Sequence, residues 1–392
     1  MAACFYILFF LSVYAILHTY IVYPALLHIF SKAKSNKSVQ LQFNPNDVDL
    51  PALTVICAAY NEEAVIAQKI ESTFNTSYPK EKVSFYIGTD ACSDNTVAII
   101  KKYKNKYPAL KLVEFTERTG KINIINKLCA MADTPVFIMT DANVYFKENT
   151  FYELVKRFKD IGVKMVCGNI SKRALNAETV TKNELQYFNF ENNLKIAESK
   201  LWNIVIGAEG GCYALRKTSY ADVPANFTVD DFFITCKVLS TKGKIIFEEN
   251  ALVYEDTKAD TEGEFRRKAR IATGNFQNLV YFKNLFANPY SVTGFAYTSH
   301  KVLRWLTPFF YLLACICCIC LLNSNPLFAY LLITQLLLLI IPPLNKLLIK
   351  AGIKLKPLIS LAHFIVMNFA IFVGFIRYCK GVTSSVWQPV RR

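Results

Sequence analysis

Leu53-Thr54-Val55-Ile56-Cys57-Ala58 runs directly into Ala59-Tyr60-Asn61-Glu62-Glu63. An uncharged run of this kind, rich in β-branched residues, predicts a buried strand. The polar cluster behind it predicts a loop at that strand's carboxyl end. The figure then repeats. Val83 to Gly88 leads into Thr89-Asp90-Ala91-Cys92-Ser93-Asp94-Asn95-Thr96, and Val136 to Met139 leads into Thr140-Asp141-Ala142-Asn143. Stretches with helical spacing lie between them, at Glu62 to Phe74, Asn95 to Tyr103 and Lys121 to Met131, with a further strand at Lys111 to Phe115.

This alternation predicts an α/β fold with a mostly parallel sheet and helices on both faces. In such sheets ligands bind beyond the carboxyl ends of the strands, and the carboxylates here fall at three of those ends. Each loop taken alone also reads as a helix start, since Asn61 and Asp94 are ordinary cap residues. Three together point to one crevice. Two phosphate-loop readings fail. Thr119-Gly120-Lys121 lacks the upstream glycine and is followed by isoleucine. No G-x-G-x-x-G follows the first strand.

Outside this region the chain is apolar. The first 30 of its 392 residues carry no Asp, Glu, Lys or Arg. That run is too long for a signal peptide and lacks a basic start and a cleavage motif. It is long enough to span a bilayer, for which about 20 apolar residues suffice. Lys32, Lys34 and Lys37 follow it, so the next domain is expected in the cytoplasm. Three more apolar stretches occupy 304–322, 327–343 and 358–376. The loop before the third carries Lys346, Lys350, Lys354 and Lys356, and the tail carries Arg377, Lys380, Arg391 and Arg392. Both cannot be inside if the third stretch spans once. Either one segment is re-entrant or interfacial, or the tail crosses despite its charge. Trp387 reads as an interfacial anchor. The expected organisation is a transmembrane anchor at 1–31, a soluble domain at 50–300, membrane or interfacial helices at 301–380 and a basic tail at 381–392.

The net charge of +15 suits an anionic membrane surface or a phosphate-bearing substrate. Nucleic acid is the weaker reading and is not expected as a partner, because the basic residues are scattered and carry no recognition motif. The 12 cysteines show no paired spacing for zinc. They read as small reduced hydrophobic residues.

Taken in order, Ala59-Tyr60-Asn61-Glu62, the Asp90/Asp94 loop, Asp141-x-Asn143, Val229-Asp230-Asp231 and Arg267-x-x-Arg270 resemble family 2 glycosyltransferases of the GT-A fold. The closest look is to the membrane-bound group that includes cellulose, hyaluronan and poly-N-acetylglucosamine synthases. The resemblance covers about residues 50 to 300. It implies an inverting enzyme that takes a sugar from a nucleotide-sugar donor, expected to be UDP-linked. The acceptor would be a membrane-proximal glycan or lipid. It also implies residence in a bacterial inner (plasma) membrane with the catalytic domain cytoplasmic.

By the same resemblance Asn61, Glu62 and Asp90 line the donor's base and ribose. Asp141 begins the family's Asp-x-Asp motif, where Mg2+ or Mn2+ bridges the diphosphate. Asn143 stands in for the second acid, and its amide oxygen coordinates without bringing charge. Asp231 is the expected general base, with Asp230 raising its pKa. Asp230 alone also reads as a helix N-terminal acid. Arg267 and Arg270 occupy the positions of the family's Gln-x-x-Arg-Trp, with Arg270 clamping the leaving diphosphate. Their basic run also reads as an anionic-lipid contact. Ile271 replaces the tryptophan that stacks on an acceptor sugar, which leaves single transfer open against processive synthesis. Lys121 reads as a donor contact or as a solvated helix-start lysine. Gly207-Ala208-Glu209-Gly210-Gly211 reads as an acceptor-side loop or a tight turn. Glu184, Glu191 and Glu198, seven apart, read as a solvated helix face. Two other classes compete. One is a membrane-tethered binding protein that has lost catalysis. The other is a transporter, although the apolar stretches contain no acidic residue to build a path.

Overall fold

A computed structural model of the chain describes residues 1–34, 50–174, 180–257 and 261–382. Residue 37, Trp387 and the two terminal arginines lie outside the described residues. The chain divides into two compact units, one made of Met1–Ile29 with Asp260–Gly381, the other built on Phe30–Ala259.

The chain opens with helices α1 (Ala2–Leu17) and α2 (Tyr23–Ala33), joined by a π-helical turn, His18–Val22. The second unit then begins with β1 (Leu53–Ala59), α3 (Ile66–Phe74), β2 (Val83–Asp90), α4 (Thr96–Lys106), β3 (Leu110–Phe115), α5 (Lys121–Met131) and β4 (Val136–Thr140). It continues through β5 (Val144–Phe146), α6 (Thr150–Val155), β6 (Val163–Ala174), α7 (Val180–Trp202), β7 (Cys212–Arg216), α8 (Asp230–Ser240) and β8 (Lys244–Thr257). The eight strands form one sheet in the order β3-β2-β1-β4-β7-β6-β8-β5. Four of its seven neighbouring pairs are parallel, and the antiparallel ones all involve β5 or β7.

β1 is buried along all seven residues, as expected of a strand covered on both faces. α3 turns Ile66, Lys69, Ile70, Thr73 and Phe74 into the core, the i, i+3, i+4, i+7 stripe of an amphipathic helix. α5 lies so close to β2 that a Cβ at Gly88 would come within 2.3 Å of the Ile124 Cγ2. The strands end within two residues of their expected limits. α3 starts four residues later than expected. Asn61 takes φ 53°, and the N–H groups of Val65 and Ile66 both donate to the Glu62 carbonyl. A tight turn therefore precedes the helix.

α7 departs from expectation. Glu191 is 7% exposed and Glu198 is fully buried, so they do not form a solvated face. Glu198 accepts the Ile206 N–H at 3.0 Å and closes the turn after the helix. The side chain of residue 184 lies outside the described set.

The first unit is completed by α9 (Thr261–Tyr281), α10 (Lys283–Phe286), α11 (Val292–Tyr297), α12 (Leu303–Leu321), α13 (Leu327–Lys350) and α14 (Lys356–Cys379). Residues 260–300, assigned by sequence to the soluble domain, thus group with the apolar helices. The reason lies in α9, which packs along α14. Thr273 donates to the Gly374 carbonyl at 3.1 Å, and a Cβ at Gly374 would meet that of Ala272 at 2.5 Å. Four helices among the described residues are long and apolar enough to cross a membrane: Ala2–Ala33, Val292–Leu321, Leu327–Lys350 and Lys356–Cys379. α13 exposes Leu336, Leu337, Leu339 and Ile340, a surface suited to lipid.

Candidate active site

The site grows from the ends of β1, β2 and β4 and from the first turn of α8. Asp141 directly follows β4, and its side chain is 41% exposed. Lys121, the first residue of α5, places its Nζ 2.9 Å from Asp141 Oδ1 and 3.5 Å from Asp230 Oδ1. Burial disfavours the Lys121 charge, but Asp141 and Asp230 outweigh it and hold the pKa above the ordinary value. Lys121 is therefore an engaged ammonium at the centre of the acid cluster.

Asp231 opens α8 beside Asp230. Its Oδ2 accepts the Gly210 N–H at 2.7 Å and its Oδ1 accepts the Phe232 N–H at 2.6 Å. Burial, followed by the charge of Asp230, pushes its pKa up to about 7. A carboxylate in this range is suited to accept a proton near neutrality. Gly210 defines the meeting point of these groups. A Cβ there would lie 3.1 Å from Asp231 Oδ2, 3.6 Å from Lys121 Nζ and 3.7 Å from Asp141 Oδ2. The glycine-rich loop leaves room where three charged groups converge.

Asp90, expected at the donor, has partners within the protein. It is fully buried, and its carboxylate accepts Arg118 Nε at 3.1 Å, Thr119 N–H at 2.6 Å and Gly120 N–H at 3.2 Å. It anchors the loop that presents Lys121. Arg118 in turn lays its guanidinium over the Tyr60 ring, with Cζ 3.5 Å from the centroid. The planar surface at this end of the crevice is thus made by Tyr60 and Arg118. Tyr60 belongs to the motif read from the sequence but was given no role there, and Arg118 was not named. A lone arginine in a polar loop carries no signal until the fold sets an aromatic beside it.

The β1 and β2 loops are laced together. Asn61 accepts the Ser93 N–H at 2.9 Å and donates to Ser93 Oγ at 3.1 Å. The Glu62 N–H donates to Thr96 Oγ1 at 2.8 Å, and Asp94 accepts the N–H groups of Glu63 and Thr96. Asp94 accepts the first N–H of α4 from one residue before the N-cap, Asn95, and Asn61 serves as a strut between loops. Ala91 follows β2 with φ 51°, a left-handed conformation uncommon outside glycine and asparagine and concentrated at ligand-facing turns.

Asn143 is 8% exposed, and its amide nitrogen donates to Glu255 Oε1 on β8 at 3.3 Å. Glu255 was not anticipated, because only the sheet brings β8 beside the β4–β5 turn. Among the described residues no three His, Cys, Asp or Glu side chains are grouped to hold a metal ion. A divalent ion fits only in the manner common for Mg2+, with Asp141 supplying one carboxylate and phosphate oxygens supplying other ligands. Arg267 and Arg270 lie on α9 in the other compact unit, where both are exposed.

The crossover sheet, with acids at its strand ends and β7 running antiparallel between β4 and β6, has the GT-A fold, as the comparisons with known proteins bear out. Residues 54–223 match the family model Glycosyl transferase family 2, and the chain carries a glycosyltransferase family 2 domain. It is 24% identical over 250 residues to the "Probable glycosyltransferase YdaM" of Bacillus subtilis, covering 60% of this chain and 57% of that protein. It is 22% identical over 236 residues to poly-beta-1,6-N-acetyl-D-glucosamine synthase of Staphylococcus aureus, covering 59% and 56%. The chain therefore spans little more than half the length of these relatives. Among solved structures, the mannosyltransferase PcManGT from Pyrobaculum calidifontis, in complex with GDP-Man and Mn2+, superposes with a TM-score of 0.66. That match has 21% identity and covers 95% of this chain and 99% of that one.

Proposed function

We propose that this chain is a membrane-bound inverting glycosyltransferase that moves a sugar from a nucleoside-diphosphate donor to a membrane-proximal acceptor. The convergence of Asp141, Lys121 and Asp231 on the space beside Gly210 is the observation that carries this reading.

In the proposed reaction Asp231 takes the proton from an acceptor hydroxyl. The freed oxygen attacks the anomeric carbon while the bond from that carbon to the diphosphate oxygen breaks, so configuration inverts. The negative charge gathers on the departing nucleoside diphosphate. Lys121 is positioned to receive part of that charge. A divalent ion, when bound at Asp141 with the diphosphate, supplies further neutralisation. The motif, rather than any measured approach, supports assigning Arg267 and Arg270 to the same diphosphate. The Tyr60–Arg118 surface supports a planar base as the other end of the donor, and a UDP-linked sugar is the expected form. A lipid or glycan acceptor accords with the four apolar helices. The positive-inside pattern supports a cytoplasmic active site.

The test is to supply purified protein in detergent with UDP-, GDP- and TDP-sugars and Mn2+, and to analyse the products by mass. Transfer or hydrolysis of one donor class, abolished in Asp231→Asn, is the expected result. A protein that binds none of these nucleotides refutes the proposal.

A further inference from the structure

Lys69 is a lysine where the fold calls for an apolar side chain. It occupies the inward stripe of α3 between Ile66, Ile70, Thr73 and Phe74, and it is fully buried. Lysine is almost never buried this completely without a charged partner. Among the described residues no carboxylate lies within 4 Å of it. Its ammonium instead donates to Thr140 Oγ1 at 2.7 Å and to the Val144 carbonyl. It also rests 3.8 Å from the centroid of the Phe146 ring. A methionine would avoid the desolvation of the charge, but it would leave Thr140 Oγ1 and the Val144 carbonyl without this donor. Packing alone therefore does not explain the residue.

What it binds does explain it. Thr140 and Val144 are the residues on either side of Asp141-Ala142-Asn143, so one ammonium grips both ends of that turn. The link runs on. Thr140 Oγ1 donates to the Gly211 carbonyl at 2.9 Å, and the neighbouring Gly210 N–H holds Asp231. Lys69 is thus the buried end of a link, made of hydrogen bonds and the Gly210–Gly211 backbone, that reaches both the diphosphate side and the base side of the site. We propose that Lys69 is a positioning residue that fixes the Asp141–Asn143 turn and so sets the direction in which Asp141 meets the ion and the donor diphosphate. The inference rests on the donor-binding reading given above. Burial lowers the Lys69 pKa to about 8, so the ammonium persists at neutral pH.

The test compares wild type, Lys69→Met and Thr140→Val, with Mn2+ titrated into the protein with saturating UDP and followed by electron paramagnetic resonance. Thermal melting and metal-free UDP binding are measured alongside. Lys69→Met should stay folded and bind UDP without metal as wild type does. Its Mn2+ affinity in the UDP complex should fall by about 10-fold or more, the range seen when the partners that orient a metal ligand are lost. Its kcat should fall with little change in the donor KM. Thr140→Val keeps the lysine but removes one grip, so it should lose part of the Mn2+ affinity and add little in the Lys69→Met background. A purely structural lysine would lower the melting temperature and leave Mn2+ affinity per folded molecule within twofold of wild type, which overturns the inference alone. Should Lys69→Met not fold, unchanged Mn2+ affinity in Thr140→Val overturns it equally. A wild type that binds no Mn2+ with any nucleoside diphosphate overturns the metal reading and this inference together.

Discussion

The Gly210 N–H donates to Asp231 Oδ2 at 2.7 Å, which joins the glycine-rich loop to the proposed base. The contact fixes the carboxylate and also leaves space in front of it. Gly210→Ala would put a methyl 3.1 Å from that oxygen and within 4 Å of Lys121 and Asp141. We expect kcat to fall roughly 100-fold, as misplacements near 1 Å can cause. The melting temperature should shift by only a few degrees, because the φ of residue 210 is not in the left-handed region. Steady-state kinetics and a melting curve check both parts.

Asp231 offers a pH test. Burial and the neighbouring Asp230 raise its pKa to about 7. A base must be deprotonated to act, so kcat/KM should rise with pH through about 7 and then level off. Asp230→Asn removes the second cause and should move that limb to lower pH. The same shift affects stability. Between the ordinary value of 3.8 and about 7 the folded state holds a proton that the unfolded chain has released. This group's contribution therefore favours folding at low pH and is lost as pH rises through about 7. Asp231→Asn should cost about 10²-fold or more in turnover with nucleotide affinity retained. Equal turnover in the variant would remove Asp231 from the mechanism.

Asp90 should behave as an anchor. Asp90→Ala strands the Thr119 and Gly120 N–H groups and frees Arg118 from its buried partner. Each lost acceptor costs about 1–3 kcal/mol, so a total near 3 kcal/mol is expected from denaturant titration. Donor KM should rise as Lys121 loses its support. Arg118→Ala should weaken UDP binding with a much smaller effect on stability, since that side chain is partly exposed. Full stability in Asp90→Ala would contradict the anchor role.

The side of the membrane reached by the C-terminal end follows from α9. Its Arg266, Arg267 and Arg270 are exposed, so it cannot lie in hydrocarbon. Yet it runs beside α14, from Glu264 and His363 at 3.2 Å to Phe276 against Phe375 and Tyr378. We expect α14 to lie along the interface, which keeps Lys346–Lys356 and Arg377–Lys380 on one side. In a variant that keeps Cys379 as its only cysteine, this exposed thiol should then react with a membrane-impermeant maleimide only in inverted vesicles. Labelling from the outside of intact cells would make α14 a true span.

Much of this was legible in the residues themselves. Uncharged β-branched runs such as Leu53 to Ala58 show burial because a strand covered on both faces must be apolar at every position. Carboxylates at successive strand ends mark the crevice because parallel strands all end on the same side. Asp141 could be chosen for that reason, whereas Asp231 and Lys121 came from the family resemblance, and the three side chains do meet beside Gly210. Glu191 and Glu198 could not be read correctly. A seven-residue repeat gives a helix face but not the environment it turns toward. Lys69 was invisible for a related reason, since an apolar stripe with one lysine looks like an interruption.

Sequence by itself determined the alternation of strands and helices, the apolar spans and the acids at the strand ends, because each depends on a few adjacent side chains. Tertiary structure decided which partners those groups meet inside the protein. Asp90, Asn61 and Asn143 already bond to protein partners brought close by other strands. The physical reason is that the partners such a side chain meets in the fold lie about 30 to 110 residues away, beyond the reach of any local pattern.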